Sequence, residues 1–227
     1  MHTITRHIPN ALTLSNVFFG CLALTALYGG ASYEQVGWWI ALGALCDFLD
    51  GAAARALKVS SPLGKELDSL ADMVTFGVVP ASIAFRMLQN IGFGWAAAAF
   101  LIAAASALRL ARFNLDERQQ TYFIGVPTPA NTLFWLGMPF LWQQIDLPPR
   151  LSLLLLLGMI LLSSYWLLAP WALFSLKFKN LSWHDNRIRY IFVALSIFCL
   201  ALQQWGGLPL LIVLYVLLSW FFFSPKQ

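Results

Sequence analysis

Asp47, Asp50, Asp68 and Asp72 are four of the ten acidic residues in the chain, and they fall in one run, DFLDGAAARALKVSSPLGKELDSLAD. Asp47 and Asp50 stand three apart and Asp68 and Asp72 four apart, so on helices each pair shares a face. Oxygen-only donors suit a hard cation such as Mg2+, Ca2+ or Mn2+. Gly51 and Ala54, beside the first pair, are small enough to admit a ligand or a neighbouring backbone. Arg55 adds a planar cation suited to phosphate. These residue types point to phosphoryl chemistry, in which metal and arginine neutralise a diphosphate. An attacking hydroxyl then needs a base, and Asp72, the deepest of the four along its helix, is the candidate.

Two helices joined by a short break must present these groups. Ser60-Ser61-Pro62 marks the break, with Ser61 as N-cap and Pro62 at the first helical position. Gly64 leaves space ahead of Asp68. Long apolar runs surround the hairpin. The 227-residue chain is 59% hydrophobic and 11% charged, where a soluble domain carries about 25% charge. Spans of about 20 apolar residues cross a bilayer, and in lipid only helices satisfy their own backbone this way. The expected fold is therefore all-α: one polytopic membrane domain over residues 1–227, with eight transmembrane helices. An aspartate at the bilayer centre costs roughly 3 kcal/mol. Capping or snorkelling accounts for one such acid, but poorly for four clustered ones.

The spans read as Ala11–Tyr28, Val36–Ala56, Pro62–Leu88, Gly94–Phe113, Ala130–Trp142, Leu151–Phe174, Tyr190–Gln204 and Leu208–Phe223. Pro80 is expected to kink the third. The last two carry no acid, base or histidine and read as scaffold. Of the fourteen lysines and arginines, all but Arg86 and Arg150 fall on one side of this arrangement. That side is placed in the cytoplasm, together with both termini and the aspartates, which implies a multi-pass cell-membrane protein. The net charge of +4 belongs to these loops; no basic, aromatic-interleaved patch suggests nucleic acid. Cys21, Cys46 and Cys199 lie in apolar runs without disulfide or zinc spacing. Met1–Asn10 reads as a mostly polar interfacial segment, not a cleavable signal.

Two further features leave alternatives open. Asn16, in the first span, is either helix–helix glue or a ligand contact. Arg109 and Arg112, in ALRLARFN, share a helix face at the same end as the aspartates. They either serve the helix dipole and the positive-inside bias, or form an anion site for phosphate or a substrate carboxylate. A cation-coupled transporter would use the aspartates as a relay, but residues 115–227 hold no second acidic cluster to match the first.

The pattern Asp47-x2-Asp50-Gly51-x2-Ala54-Arg55-x8-Gly64-x3-Asp68-x3-Asp72 resembles the complete motif of the CDP-alcohol phosphotransferases. The flanks PNALTLSN, LDSLADMVTFGVVPA, ALRLARFN and IGVPTP are similar to its phosphatidylserine synthase branch. The resemblance covers residues 8–170 and leaves the two C-terminal spans, within 188–223, unmatched. It implies transfer of the phosphatidyl group of CDP-diacylglycerol to L-serine, with CMP released. It further implies that Asp47, Asp50, Asp68 and Asp72 hold a pair of Mg2+ or Mn2+ ions, with Asp72 also the base. Gly51, Ala54, Arg55 and Gly64, and Asn16 with them, would line the CDP-lipid. Arg109, Arg112, Thr75 and Asn114 would meet the serine. The family also implies a homodimer. Glycerol 3-phosphate, inositol phosphate or choline are the rival acceptors.

Overall fold

The computed structural model describes residues 7–59, 61–115, 123–174 and 182–222. Ser60, and Arg6, Arg118, Lys177, Lys179 and Lys226 of the charge count, lie outside the described residues. Helix α1 spans Ile8–Tyr28 and α2 spans Tyr33–Leu57. Lys58 ends α2 in the left-handed conformation, with φ 53°, and its N–H caps the carbonyl of Ala54. The chain re-enters helix at α3, Pro62–Asp72, as the sequence predicts: the Ser61 hydroxyl accepts from the N–H of Gly64 at 3.0 Å, and Pro62 opens the first turn.

Helix α3 does not run straight on as α-helix. Met73–Val78 forms a π-helical turn before α4, Val79–Gln89. The sequence reading placed the irregularity at Pro80 as a kink. Pro80 sits in the first turn of α4 and, lacking an N–H, cannot bond the carbonyl of Phe76 one turn back. The hydroxyl of Thr132 lies 3.2 Å from that oxygen and 2.9 Å from the Thr128 carbonyl.

A 3-10 segment, Phe93–Ala99, leads into α5, Phe100–Leu115. Helices α6, Thr128–Trp142, and α7, Pro149–Leu168, follow. A two-residue antiparallel pair joins Phe123–Ile124 to Ala172–Leu173, a feature the all-α reading did not foresee. Helix α8, Trp183–Gln203, turns through Gln204–Gly206 into α9, Gly207–Phe222.

Five stretches are long and apolar enough to cross a membrane: 8–28, 62–89, 94–115, 149–168 and 186–222, the last containing both C-terminal helices. This is a multi-pass helical membrane protein. Helix α2 falls short of that measure because it carries Glu34, Asp47, Asp50 and Arg55. Helix α6, with 15 residues, rises only about 22 Å at 1.5 Å per residue, against roughly 30 Å of hydrocarbon.

Large apolar side chains such as Phe18, Leu154, Leu161 and Ile197 point outward, as lipid-facing residues do. Inside, lipid gives no hydrophobic drive between helices, so close approach and polar links carry the packing. Trp135 Nε1 donates to Ser163 Oγ at 3.2 Å, and Trp166 Nε1 donates to Asn131 Oδ1 at 2.9 Å, tying α6 to α7. Each such link is worth about 0.6 kcal/mol. Helices α1 and α2 meet at Gly43, where a Cβ would come within 3.0 Å of both Asn16 Oδ1 and Thr75 Cγ2. That close crossing brings polar residues of α1 onto the aspartate-bearing helices.

Candidate active site

The four aspartates converge. Carboxylate oxygens of Asp47, Asp50 and Asp68 lie within 4.8 Å of one another, a spacing that could hold a metal ion. The carboxyl of Asp47 also meets those of Asp68 and Asp72. The i, i+3 and i, i+4 spacings thus put both pairs into one space, as read from the sequence. Among the described residues, none of the four forms an ion pair with a lysine or arginine. Clustered carboxylate oxygens with no cationic side chain paired to them fit a hard divalent cation.

Helix α1 holds the cluster from the side, which the sequence did not reveal. Thr13 is buried, and its hydroxyl donates to Asp50 Oδ2 at 2.6 Å. Asn16 is fully buried; its Nδ2 donates to Asp72 Oδ1 at 3.4 Å, while its Oδ1 has no partner. Of the two roles open to Asn16, the structure shows contact with the carboxylate expected to act as base.

A cavity of about 890 Å3 opens beside Asp50 and Asp68. Gly51, Ala54, Arg55 and Gly64 line it, and so do His7, Asn10, Lys58 and Lys65. Three cations and three small residues next to the acids suit a diphosphate and its nucleoside. Asn10 Oδ1 would stand 3.2 Å from a Cβ at Gly64, so the first turn of α1 closes tightly over the start of α3.

The residues expected around the acceptor separate. Arg109 is 7% exposed. Its Nε has no hydrogen-bond partner, and Asp72 lies within electrostatic reach. Arg112, three residues on, is exposed. Thr75 is fully buried and donates to the carbonyl of Asn16 at 3.0 Å. Asn114 Nδ2 donates to Ser69 Oγ at 2.7 Å, and its carbonyl accepts from Lys65 Nζ at 2.6 Å. Thr75 and the side-chain nitrogen of Asn114 therefore bond neighbouring helices, and of these four residues only Arg109 is buried with a polar atom left unpartnered.

Tyr215 was not anticipated, because α8 and α9 read as scaffold. It is buried, its hydroxyl donates to the Phe174 carbonyl at 2.8 Å, and its ring packs on Phe174 and Phe192. A second, apolar cavity of about 390 Å3 lies among α2, α6, α8 and α9. Its wall includes Ala44, three residues ahead of Asp47, and Phe76, four after Asp72.

Comparison with known proteins agrees with this geometry. The family model described as CDP-alcohol phosphatidyltransferase matches residues 6–223. Similar proteins include the CDP-diacylglycerol–serine O-phosphatidyltransferase of Helicobacter pylori (strain 26695), 30% identical over 96% of this chain and 92% of that protein. The protein of the same name from Bacillus subtilis (strain 168) is 38% identical over 61% of this chain and 78% of its own length. The one from Saccharomyces cerevisiae is 39% identical over 59% and 54%. With nearly its whole length matched and its acidic pairs folded into one site, the chain belongs to the CDP-alcohol phosphatidyltransferase family.

Proposed function

We propose that this chain is a CDP-diacylglycerol–serine O-phosphatidyltransferase: it moves the phosphatidyl group of CDP-diacylglycerol to the hydroxyl of L-serine and releases CMP. The observation that carries this reading is the convergence of Asp47, Asp50, Asp68 and Asp72 beside a cavity lined by Arg55, Lys58 and Lys65. The relatives' shared name supports serine as the acceptor.

Asp47, Asp50, Asp68 and Asp72 would hold Mg2+ or Mn2+, two ions by analogy with the family. When bound, the metal supplies positive charge to the diphosphate and to the oxygen that leaves with CMP. Arg55, Lys58 and Lys65 bind the phosphates and cytidine side from the cavity wall. Gly51, Ala54 and Gly64 leave the room. Asp72, oriented by Asn16, takes the proton of the serine hydroxyl as that oxygen bonds the lipid phosphorus and the P–O bond to CMP breaks. Arg109 holds the serine carboxylate, since a buried, unpaired guanidinium is a ready partner for an anion. Arg112, exposed, plays the lesser part. Glycerol 3-phosphate or inositol phosphate would call for more buried cations than Arg109 alone.

The apolar cavity beside Ala44 and Phe76 receives an acyl chain, so the lipid stays in the bilayer while its headgroup reaches the acids. Eight crossings, with α2 and α6 added to the apolar stretches, put the site on the cytoplasmic side of the cell membrane; the asymmetry of lysine and arginine supports this. Assembly as a homodimer rests on the family likeness.

The test is CMP release from CDP-diacylglycerol by purified protein, with and without L-serine and with and without divalent metal. CMP and phosphatidylserine should appear only when all components are present. CMP release that ignores serine, or favours another alcohol, would overturn the assignment.

A further inference from the structure

Ser106 lies one turn before Arg109 on the same face of α5, and neither residue is used by the fold. Ser106 is fully buried, and its hydroxyl has no hydrogen-bond partner. Buried hydroxyls in helices usually bond a carbonyl one turn back. Ser196 and Ser219 do so here, at 2.7 Å each. Ser106 forgoes that bond, as Arg109 forgoes any ion pair. Two unsatisfied buried polar groups, side by side, cost stability without return to the fold.

The wall opposite is the π-helical turn that follows Asp72. A Cβ at Gly77 would lie 3.3 Å from Ser106 Cβ and 3.0 Å from Met73 Sδ. The absent side chain at Gly77 thus leaves Ser106 facing the flexible tip of Met73. A methionine with three rotatable bonds is a wall that can give way to a small ligand. Arg109, one turn on from Ser106, lies within electrostatic reach of Asp72.

We propose that Ser106 determines acceptor specificity: its hydroxyl accepts a hydrogen bond from the ammonium group of the amino acid whose carboxylate Arg109 holds. The two charged groups of an α-amino acid sit on one carbon, so side chains a single helical turn apart can clasp both. An acceptor without the ammonium leaves Ser106 as unsatisfied as before, which is how a polar pocket rejects an analogue. This assignment rests on the serine-transferase reading above.

The experiment compares wild type and Ser106→Ala, as full chains, with L-serine and with 3-hydroxypropanoate, which keeps the hydroxyl and carboxylate but lacks the ammonium. The KM for L-serine should rise about tenfold or more on loss of a hydrogen bond to a charged group. The KM values for 3-hydroxypropanoate and for CDP-diacylglycerol should not move. Thermal stability should be equal or higher, because an unpaired hydroxyl has been removed. Equal loss with both acceptors would make Ser106 merely structural and overturn the proposal, as would an unchanged preference for serine. A wild-type protein inactive with L-serine would instead overturn the function reading, and this assignment with it.

Discussion

The hydroxyl of Thr13 donates to Asp50 Oδ2 at 2.6 Å, joining the first helix of the chain to an aspartate of the second. A carboxylate that would ligate a metal is thus oriented by a neighbour that would not. Loss of such outer partners commonly lowers metal affinity about 10- to 100-fold. Thr13→Val should raise the metal concentration for half-maximal activity by about that factor, and Thr13→Ser should restore it. Titration of activity and of metal binding with Mg2+ and Mn2+ checks both.

Asp72 stands apart from the compact trio of acids, touching Asp47 on one side and the Asn16 amide on the other. Asp72→Asn keeps the shape and removes the base. Turnover should fall by about 10²- to 10⁴-fold, while CDP-diacylglycerol still binds. Retained turnover would remove Asp72 from the base role.

Arg109 and Arg112 provide a contrast within one helix. Arg109→Met should raise the KM for serine by about tenfold or more, the effect of losing a charge-assisted contact. It should not lower thermal stability, because it replaces an unpaired buried charge with apolar volume. Arg112→Ala, at an exposed position, should have the smaller effect on serine. Steady-state kinetics in serine at saturating lipid decide between them.

Tyr215 fastens the last helix to the strand pair through the Phe174 carbonyl. Tyr215→Phe leaves that buried carbonyl without its donor, at a cost of about 1–3 kcal/mol. The melting temperature should fall. A variant as stable as wild type would show that the hydrogen bond contributes nothing net.

If the apolar cavity takes an acyl chain, Ala44→Phe should fill it one turn from the acids. The KM for long-chain CDP-diacylglycerol should rise, with little change for a short-chain analogue. Equal effects on both would place the chain elsewhere.

The acid pairs and the Ser61 cap were legible in the sequence because both depend on spacing within one or two helical turns. The contacts made by Thr13 and Asn16 were not, because they depend on how α1 crosses its neighbours, with Gly43 setting the distance. Polar type alone did not reveal the helix contacts of Thr75 and Asn114. Both sit near the motif, but whether a side chain faces a substrate or a neighbouring helix depends on rotation about the helix axis. Arg109 and Arg112 have identical chemistry and opposite exposure for the same reason. The apolar stretches 190–204 and 208–223 carry no charge to draw notice, so the bond from Tyr215 to the Phe174 carbonyl emerges only in three dimensions.

The π-helical turn at Met73–Val78 carries one residue more than an α-helical path of the same length would need. Each residue advances an α-helix by about 100°, so the extra one sets the azimuth of Asp68 and Asp72 independently of α4 below. Excising a single residue from this turn would let the rod wind regularly while swinging the two aspartates out of phase with Asp47 and Asp50. The bulge acts as a phase adjuster, coupling a membrane-packed shaft to a site that needs a different bearing.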